Sequence, residues 1–226
     1  MSVLLTDFEE VMTTTRAVRR RLDFDRPVPR QILEECLEIA LQAPTGGNAQ
    51  DWRFVMIDDK SLKNEIGSIY RDCFDRYVAA PLSADGFEAD IAKGRLASRN
   101  ENTEQMLRDA AYLAKNVHRA PWLVLACASR PNPSDGVSHG TVAAVYGSVF
   151  PAVWSFNLAL RSRGLGTVFT SLTLHEEQAV AKILGIPEGV TQCCLLPVAF
   201  TIGVNFNKAN RRPLNEVAFW NGWDRG

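Results

Sequence analysis

The sequence lacks the cysteine pattern of a disulfide-linked protein. Its cysteine count is odd and no two cysteines form a CxxC pair. The N-terminal segment also lacks the basic region and the long apolar region of a signal peptide. Free thiols without such a leader are typical of reducing compartments. We therefore predict a cytoplasmic protein with reduced thiols at Cys36, Cys73, Cys127, Cys193 and Cys194.

An excess of charge of either sign is also absent. The 226 residues carry 25 Lys and Arg against 26 Asp and Glu, a formal net charge of −1. General nucleic-acid and membrane-surface binders are usually more basic, so we predict binding to neither. Hydrophobic residues make up 46% of the chain and no composition break divides it. This composition predicts one globular domain over residues 1–226 with a substantial core.

Motifs of metal sites and of nucleophilic enzymes are scarce. The three histidines are scattered without HxxxH spacing, so we predict no metal site. The chain has no P-loop, and we predict no nucleophile elbow. The GxG at residues 164–166 lacks the GxGxxG spacing of a dinucleotide fingerprint. An enzyme built on this sequence would then depend on a cofactor for its difficult chemistry.

One apolar stretch, residues 143–160, contains no charged residue. A membrane span needs roughly 20 mostly apolar residues, and this shorter stretch is interrupted by Ser148, Pro151 and Asn157. We predict a helix buried in the core or against a second subunit. Proline cannot donate the backbone hydrogen bond of a helix interior, so Pro151 should kink the helix or begin it anew.

The remaining patterns predict an α+β fold. After Pro29, apolar residues at helical spacing from Leu33 to Leu41 predict a helix with one buried face. Short apolar runs predict buried strands at 52–57, at 122–128 and from Cys193 onward. Helices and strands do not alternate strictly, which favours α+β over a doubly wound fold. A charge-rich excursion over about residues 70–104 is predicted to cover the substrate channel.

Three segments could carry the chemistry. The basic segments TRAVRRR (15–21) and NRRPL (210–214) suit a phosphate, because guanidinium groups donate paired hydrogen bonds to phosphate oxygens. Their alternatives are a solvated basic surface or, for the first, contact with nucleic acid. The glycines of APTGGNAQDW (43–52) allow close approach of a flat ligand, and its amides suit a ring with donors and acceptors. Its alternative is an ordinary helix-to-strand loop.

The ordered set of motifs resembles the FMN-dependent nitroreductase family. The matching pieces are RAVR, PVP, APTGGNAQDW, GLGT, LGIPEG, LLPVAF and RRPL. The resemblance runs from about residue 13 to the end and is weakest over 60–140. It implies a mostly antiparallel central sheet flanked by helices, in an obligate homodimer with FMN sites at the interface.

The resemblance also implies roles for individual residues. The first basic motif would bind the FMN phosphate and the pyrimidine edge of the flavin, with Arg19 as the cation near N1 and the C2 carbonyl. The glycine-containing loop would cover the flavin from the partner subunit, and residues 169–171 would follow the ring edge near N5. The implied cofactor-binding residues are Arg16, Arg19, Arg20, Pro44, Thr45, Gly46, Asn48, Phe169, Thr170, Ser171, Arg211 and Arg212.

Two positions depart from the family pattern. Ala17 stands where many members have a serine, so one hydroxyl donor to the phosphate is missing, and Arg20 or a water would have to compensate. Asp51 replaces the proline common before the tryptophan, which would change how that loop sits.

The implied reaction is a ping-pong transfer. Hydride passes from NADH or NADPH to the flavin N5 and then to an electron-poor acceptor, a nitroaromatic or a quinone. The protein itself supplies no dedicated acid or base in this scheme. The alternatives on the same FMN scaffold are reductive dehalogenation, flavin-fragmenting chemistry, and flavin binding with incidental turnover.

Overall fold

A computed structural model describes residues 7–79, 103–131 and 137–223. Of the predicted cover at 70–104, residues 80–102 lie outside the described residues. The helices are α1 (Phe8–Thr14), α2 (Arg30–Ala40), α3 (Lys60–Ala79), α4 (Thr103–Asn116), α5 (His139–Ser162) and α6 (Glu177–Leu184). The strands are β1 (Leu22–Asp23), β2 (Trp52–Ile57), β3 (Trp122–Ala128), β4 (Leu165–Gly166) and β5 (Thr191–Thr201).

The strands form one antiparallel sheet in the order β1-β5-β3-β2, with β4 also paired to β5. All eleven residues of β5 are buried, and so are all seven of β3. Strands buried on both faces read as continuous apolar runs, which is how the sequence indicated them. The predicted α+β class and antiparallel sheet are confirmed.

Two hydrophobic clusters cover the two faces of the sheet. One joins α2 and α5 to β3 and β5 and includes Leu33, Val149 and Phe156. The other lies under α3, α4 and α6 and includes Ile66 and Leu113. Trp122 connects the first cluster to the segment before α2, since its indole N–H donates to the Val28 carbonyl at 2.9 Å.

Helix ends follow the local signals of the sequence. The Asp7 carboxylate caps α1 by accepting a hydrogen bond from the Glu10 N–H at 2.7 Å. Helix α2 begins directly after Pro29 and buries Leu33, Cys36 and Ala40 as predicted, although Leu41 is 43% exposed. Helix α6 ends at Gly185, whose φ of 63° is the left-handed conformation that glycine adopts without strain.

Helix α5 contains the charge-free stretch and runs unbroken through Pro151. Of the two outcomes expected at Pro151, a kink or a new helix start, the new start does not occur. By length and composition alone α5 could cross a membrane, but core helices of globular proteins pass the same test. Its buried face packs on α2 and the sheet, and the opposite face is exposed at Ala143, Ala144, Gly147, Pro151 and Trp154.

Candidate functional site

A cavity of about 530 Å³ lies between α5 and the segment that follows α1. We call it the main cavity. Its wall is formed by residues 14–18, by one face of α5, by residues 165–169 and by two residues of the C-terminal tail. The lining residues are Thr14, Thr15, Arg16, Ala17, Val18, Phe150, Val153, Trp154, Asn157, Arg161, Leu165, Gly166, Thr167, Val168, Phe169, Phe206 and Arg211.

Close backbone packing sets the floor of the main cavity. The Val18 N–H donates to the Thr167 carbonyl at 2.9 Å, which lays the RAVR segment beside β4. A Cβ at Gly166 would come within 2.7 Å of Thr201 Cγ2 and 3.1 Å of Val18 Cβ. Glycine is therefore needed here because the neighbouring segments of the same chain approach too closely for any side chain.

Three buried polar atoms of the cavity wall have no hydrogen-bond partner among the described residues: Asn157 Oδ1, Arg161 Nη1 and Thr167 Oγ1. Buried polar groups are nearly always satisfied, since an unpaired one loses its hydration without compensation. These atoms present one acceptor, one charged donor and one hydroxyl. The chemistry of the cavity wall therefore fits a polar, anionic ligand.

The basic residues predicted from the sequence lie in different places. Arg16 and Arg211 both line the main cavity. Arg20 instead pairs with Asp109, at 2.5 Å from Nε to Oδ1, and lies outside the main cavity. Arg212 is exposed and is not part of the cavity wall.

A second pocket of about 230 Å³ lies between α3, α4 and residues 168–172. It is lined by Arg19, Phe169, Thr170 and Ser171 together with aromatic and aliphatic side chains of the two helices. Phe169 also lines the main cavity, so the two spaces adjoin. Burial raises the pKa of Tyr70 in this pocket above its usual value, and its hydrogen bond with the Thr170 side chain opposes the shift.

The predicted flavin-covering loop stands apart from both spaces in its own chain. Pro44, Gly46 and Asn48 are exposed, and Thr45 is half-buried. The Thr45 hydroxyl accepts from the Gln50 N–H at 3.1 Å, and Asn48 Oδ1 accepts from the Gln50 side chain at 3.2 Å. The loop therefore holds its own shape next to the exposed face of α5 without contributing to the main cavity of the same chain.

Asp51, the departure from the family proline, is buried and forms an ion pair with Arg130. The backbone carbonyl of Asp51 accepts a hydrogen bond from the Ser129 N–H at 2.7 Å. Both contacts fasten the end of the loop to the end of β3.

Sequence reasoning missed Thr14, Asn157, Arg161, Thr167 and Phe206 in the cavity wall. A signal for Arg161 exists. Val153, Asn157 and Arg161 follow one another at intervals of four, so an arginine continues a buried row of the helix. Charged residues are rarely buried, and one on a core-facing row is a sign of function.

The prediction of no nucleophile elbow overlooked a GxSxG pattern, which the sequence contains at residues 136–140. Ser138 is the N-cap of α5 and its hydroxyl accepts from the Thr141 N–H at 3.2 Å. The residue therefore acts as a helix cap. Within the described ranges, no three His, Cys, Asp or Glu side chains are grouped to hold a metal ion.

The sequence profile of the nitroreductase family matches residues 12–200. The chain belongs to this family. A curated relative, the iodotyrosine deiodinase of Thermotoga neapolitana, is 28% identical over 187 residues, which cover 82% of this chain and 84% of the relative.

Two solved structures of the superfamily resemble the fold. An oxidized iodotyrosine deiodinase bound to FMN and 3-iodo-L-tyrosine has a TM-score of 0.66 at 22% identity, covering 95% of this chain and 99% of that one. The FMN-dependent nitroreductase of Mycobacterium smegmatis in complex with NADPH has a TM-score of 0.64 at 17% identity, covering 95% and 97%. At these identities the likeness shows the shared fold.

Proposed function

We propose that the protein is an FMN-dependent oxidoreductase. It would take hydride from NADH or NADPH and reduce an electron-poor acceptor, a nitroaromatic or a quinone, in a ping-pong sequence. The observation that carries this proposal is the main cavity, where Arg16 and Arg211 meet unpaired buried polar atoms in a member of the nitroreductase family. When bound, FMN supplies the redox chemistry, for which the protein needs no nucleophile of its own.

The chain's own residues then bind and orient. Arg16 and Arg211 hold the phosphate group of the cofactor, for which guanidinium geometry is well suited. Arg19, in the adjoining pocket, holds a positive charge at the pyrimidine edge of the flavin. Phe150 and Trp154 give the main cavity an aromatic wall that excludes water and suits a flat acceptor.

We further propose a homodimer in which each cofactor site takes residues from both chains. The exposed face of α5 is apolar, and Trp154 on it is 44% exposed while also lining the main cavity. Exposed apolar groups continue along the C-terminal tail at Leu214, Phe219, Trp220 and Trp223. Large exposed apolar side chains of this kind are typical of subunit interfaces. In a dimer built on this face, the loop at 43–50 would lie over the partner's cavity.

Purification with identification of the bound cofactor tests the proposal. We expect a yellow protein that releases FMN, at one flavin per chain. Steady-state assays with NADH or NADPH and a quinone should then give parallel double-reciprocal lines, as ping-pong kinetics require. A colourless protein that gains no flavin absorbance after FMN is added would refute the proposal.

Reductive dehalogenation is the second candidate. The observation that favours it is the similarity to iodotyrosine deiodinases in both sequence and structure. In that reaction a carbon–iodine bond is replaced by carbon–hydrogen, consuming two electrons and one proton and releasing iodide. Incubating the FMN-loaded protein with 3-iodotyrosine and dithionite, and measuring iodide against a protein-free control, distinguishes the two candidates.

A further inference from the structure

Arg161 is a buried cation that forms no ion pair with the described residues. It lies in the last turn of α5 and is 4% exposed. Arginine stays protonated in proteins, so the charge cannot be relieved by loss of a proton.

The hydrogen bonds of Arg161 are incomplete. Its Nε and Nη2 both donate to the Thr14 hydroxyl, at 3.3 and 3.0 Å. That hydroxyl donates in turn to the Glu10 carbonyl at 2.7 Å, so it offers the guanidinium only its lone pairs. The third nitrogen, Nη1, is buried and has no partner in the part of the chain that the structure describes. Nε and Nη2 therefore share one neutral acceptor, the Thr14 hydroxyl, and Nη1 makes no hydrogen bond to the described residues.

The surroundings of Arg161 include one further cation, Arg21, and one carboxylate, Glu10, with which it forms no ion pair. The Arg161 guanidinium lies 4.8 Å from the centre of the Phe206 ring, and Arg21 lies 3.9 Å from the same centre. Burial lowers the pKa of Arg161 below its usual value; the charge of Glu10 opposes this shift, and the charge of Arg21 adds to it more weakly. An unpaired buried cation is costly unless a bound anion compensates it.

The main cavity supplies the place for that anion. Arg161 forms its wall together with Arg16 and Arg211, the two arginines that the family resemblance predicts at the phosphate. A neutral flavin carbonyl would satisfy Nη1 but would leave the charge uncompensated. A phosphate dianion satisfies both, which favours the phosphate end of the cofactor.

We propose that Arg161, oriented by Thr14, binds the phosphate of FMN and replaces the serine hydroxyl that Ala17 lacks. The proposal rests on the proposed FMN site. Arg20, the compensating residue expected from the sequence, is engaged with Asp109 and with the Arg108 carbonyl. Arg161 lies on the wall of the main cavity, which Arg20 does not line, and its buried Nη1 has no partner among the described residues.

Flavin titrations of the cofactor-free protein test this assignment. Riboflavin is FMN without the phosphate, so it reports contacts to the ring alone. We expect Arg161→Met to weaken FMN binding about 10- to 100-fold, the loss of a charge-assisted hydrogen bond, and to change riboflavin binding less than about threefold. Arg161→Lys keeps the charge and should lose less FMN affinity than the methionine variant.

The matched control is Arg163→Gln. Arg163 lies two residues further along, pairs with Glu35 at 3.5 Å and is not part of the cavity wall. Its substitution removes the same charge and should leave both affinities unchanged within about threefold.

The stability of the cofactor-free protein separates binding from a structural role. Replacing an uncompensated buried charge with an apolar side chain removes a desolvation cost, so cofactor-free Arg161→Met should unfold at the wild-type temperature or above it. The proposal is overturned if FMN affinity is unchanged, or if FMN and riboflavin affinities fall together. If the methionine variant does not fold, the lysine variant decides by the same comparison. A wild-type protein that binds neither flavin would instead refute the proposed function.

Discussion

The backbone N–H of Gly46 donates a hydrogen bond to Ser148 Oγ at 3.2 Å and so fastens the loop at 43–50 to α5. The Ser148 hydroxyl donates in turn to the Ala144 carbonyl at 2.7 Å. Loop and helix therefore form one surface, and the apolar face of α5 lies beside the segment that is predicted to cover the partner's flavin.

Gly147→Glu should convert the proposed homodimer into monomers. A Cβ at Gly147 meets no atom within 4 Å, so the chain itself tolerates a side chain there, while a charge on an apolar interface is costly. Light scattering measures the mass, and FMN titration should show weaker binding by the monomer. Gly147→Ala is the control and should remain dimeric. A glutamate variant that stays dimeric with full FMN affinity would place the interface elsewhere.

Arg16→Ala and Arg211→Ala should each weaken FMN binding by about 1.5–3 kcal/mol, the size of a charge-assisted hydrogen bond. Both side chains line the main cavity. Isothermal titration of the cofactor-free variants measures the loss. The control is Arg30→Ala, an exposed arginine paired with Glu34 on α2, which should bind FMN as the wild type does. Wild-type affinity in both cavity variants would mean that the phosphate lies elsewhere.

Ala17→Ser should tighten FMN binding by up to about 1.5–3 kcal/mol, because it returns a hydroxyl donor to the cavity wall. If Arg161 already makes this contact, the gain is smaller in the wild type than in the Arg161→Met background, and a double-mutant cycle measures the difference. Turnover of the FMN-saturated enzyme should be nearly unchanged. A serine variant with unchanged affinity but severalfold different turnover would contradict a phosphate role for this segment.

His118 should make the protein less stable in mild acid. Burial, with the charges of Arg71, Arg119 and Lys63, lowers the pKa of His118 below its usual value. The unfolded chain then binds the proton more readily than the folded one, so the free energy of unfolding falls as the pH drops through about 6.5.

Urea unfolding of the wild type and of His118→Gln between about pH 7.5 and pH 5 measures this contribution. The glutamine variant should lose less stability over this interval. The exposed His139 provides the control variant, His139→Gln. Parallel pH profiles for the wild type and His118→Gln would exclude the effect.

Local sequence patterns were sufficient to predict the α+β class, because the burial of a helix face or a strand determines which of its residues are apolar. The apolar face of α2 could be read from its helical periodicity, and β2, β3 and β5 from short apolar runs. The nitroreductase resemblance then predicted two arginines, Arg16 and Arg211, that the structure brings to one cavity from opposite ends of the chain.

The rest of the site depends on relationships that no single segment contains. Arg161 lies just beyond the charge-free stretch of α5. Its contact with Thr14 and its place in the cavity wall are evident only in the folded structure. The proposed role of the loop at 43–50 requires a second chain. Arg20 stands next to Arg19 in the sequence, yet Asp109, which comes from a distant helix, engages it.

The position of β5 in the sheet has a consequence for the order of folding. This strand pairs with β1, β3 and β4, and both hydrophobic clusters include its residues. Its partners are made earlier, and β1 precedes it by well over half the chain. On the ribosome neither core can close until Thr201 has emerged, so the nascent chain must carry its apolar segments unpaired until then.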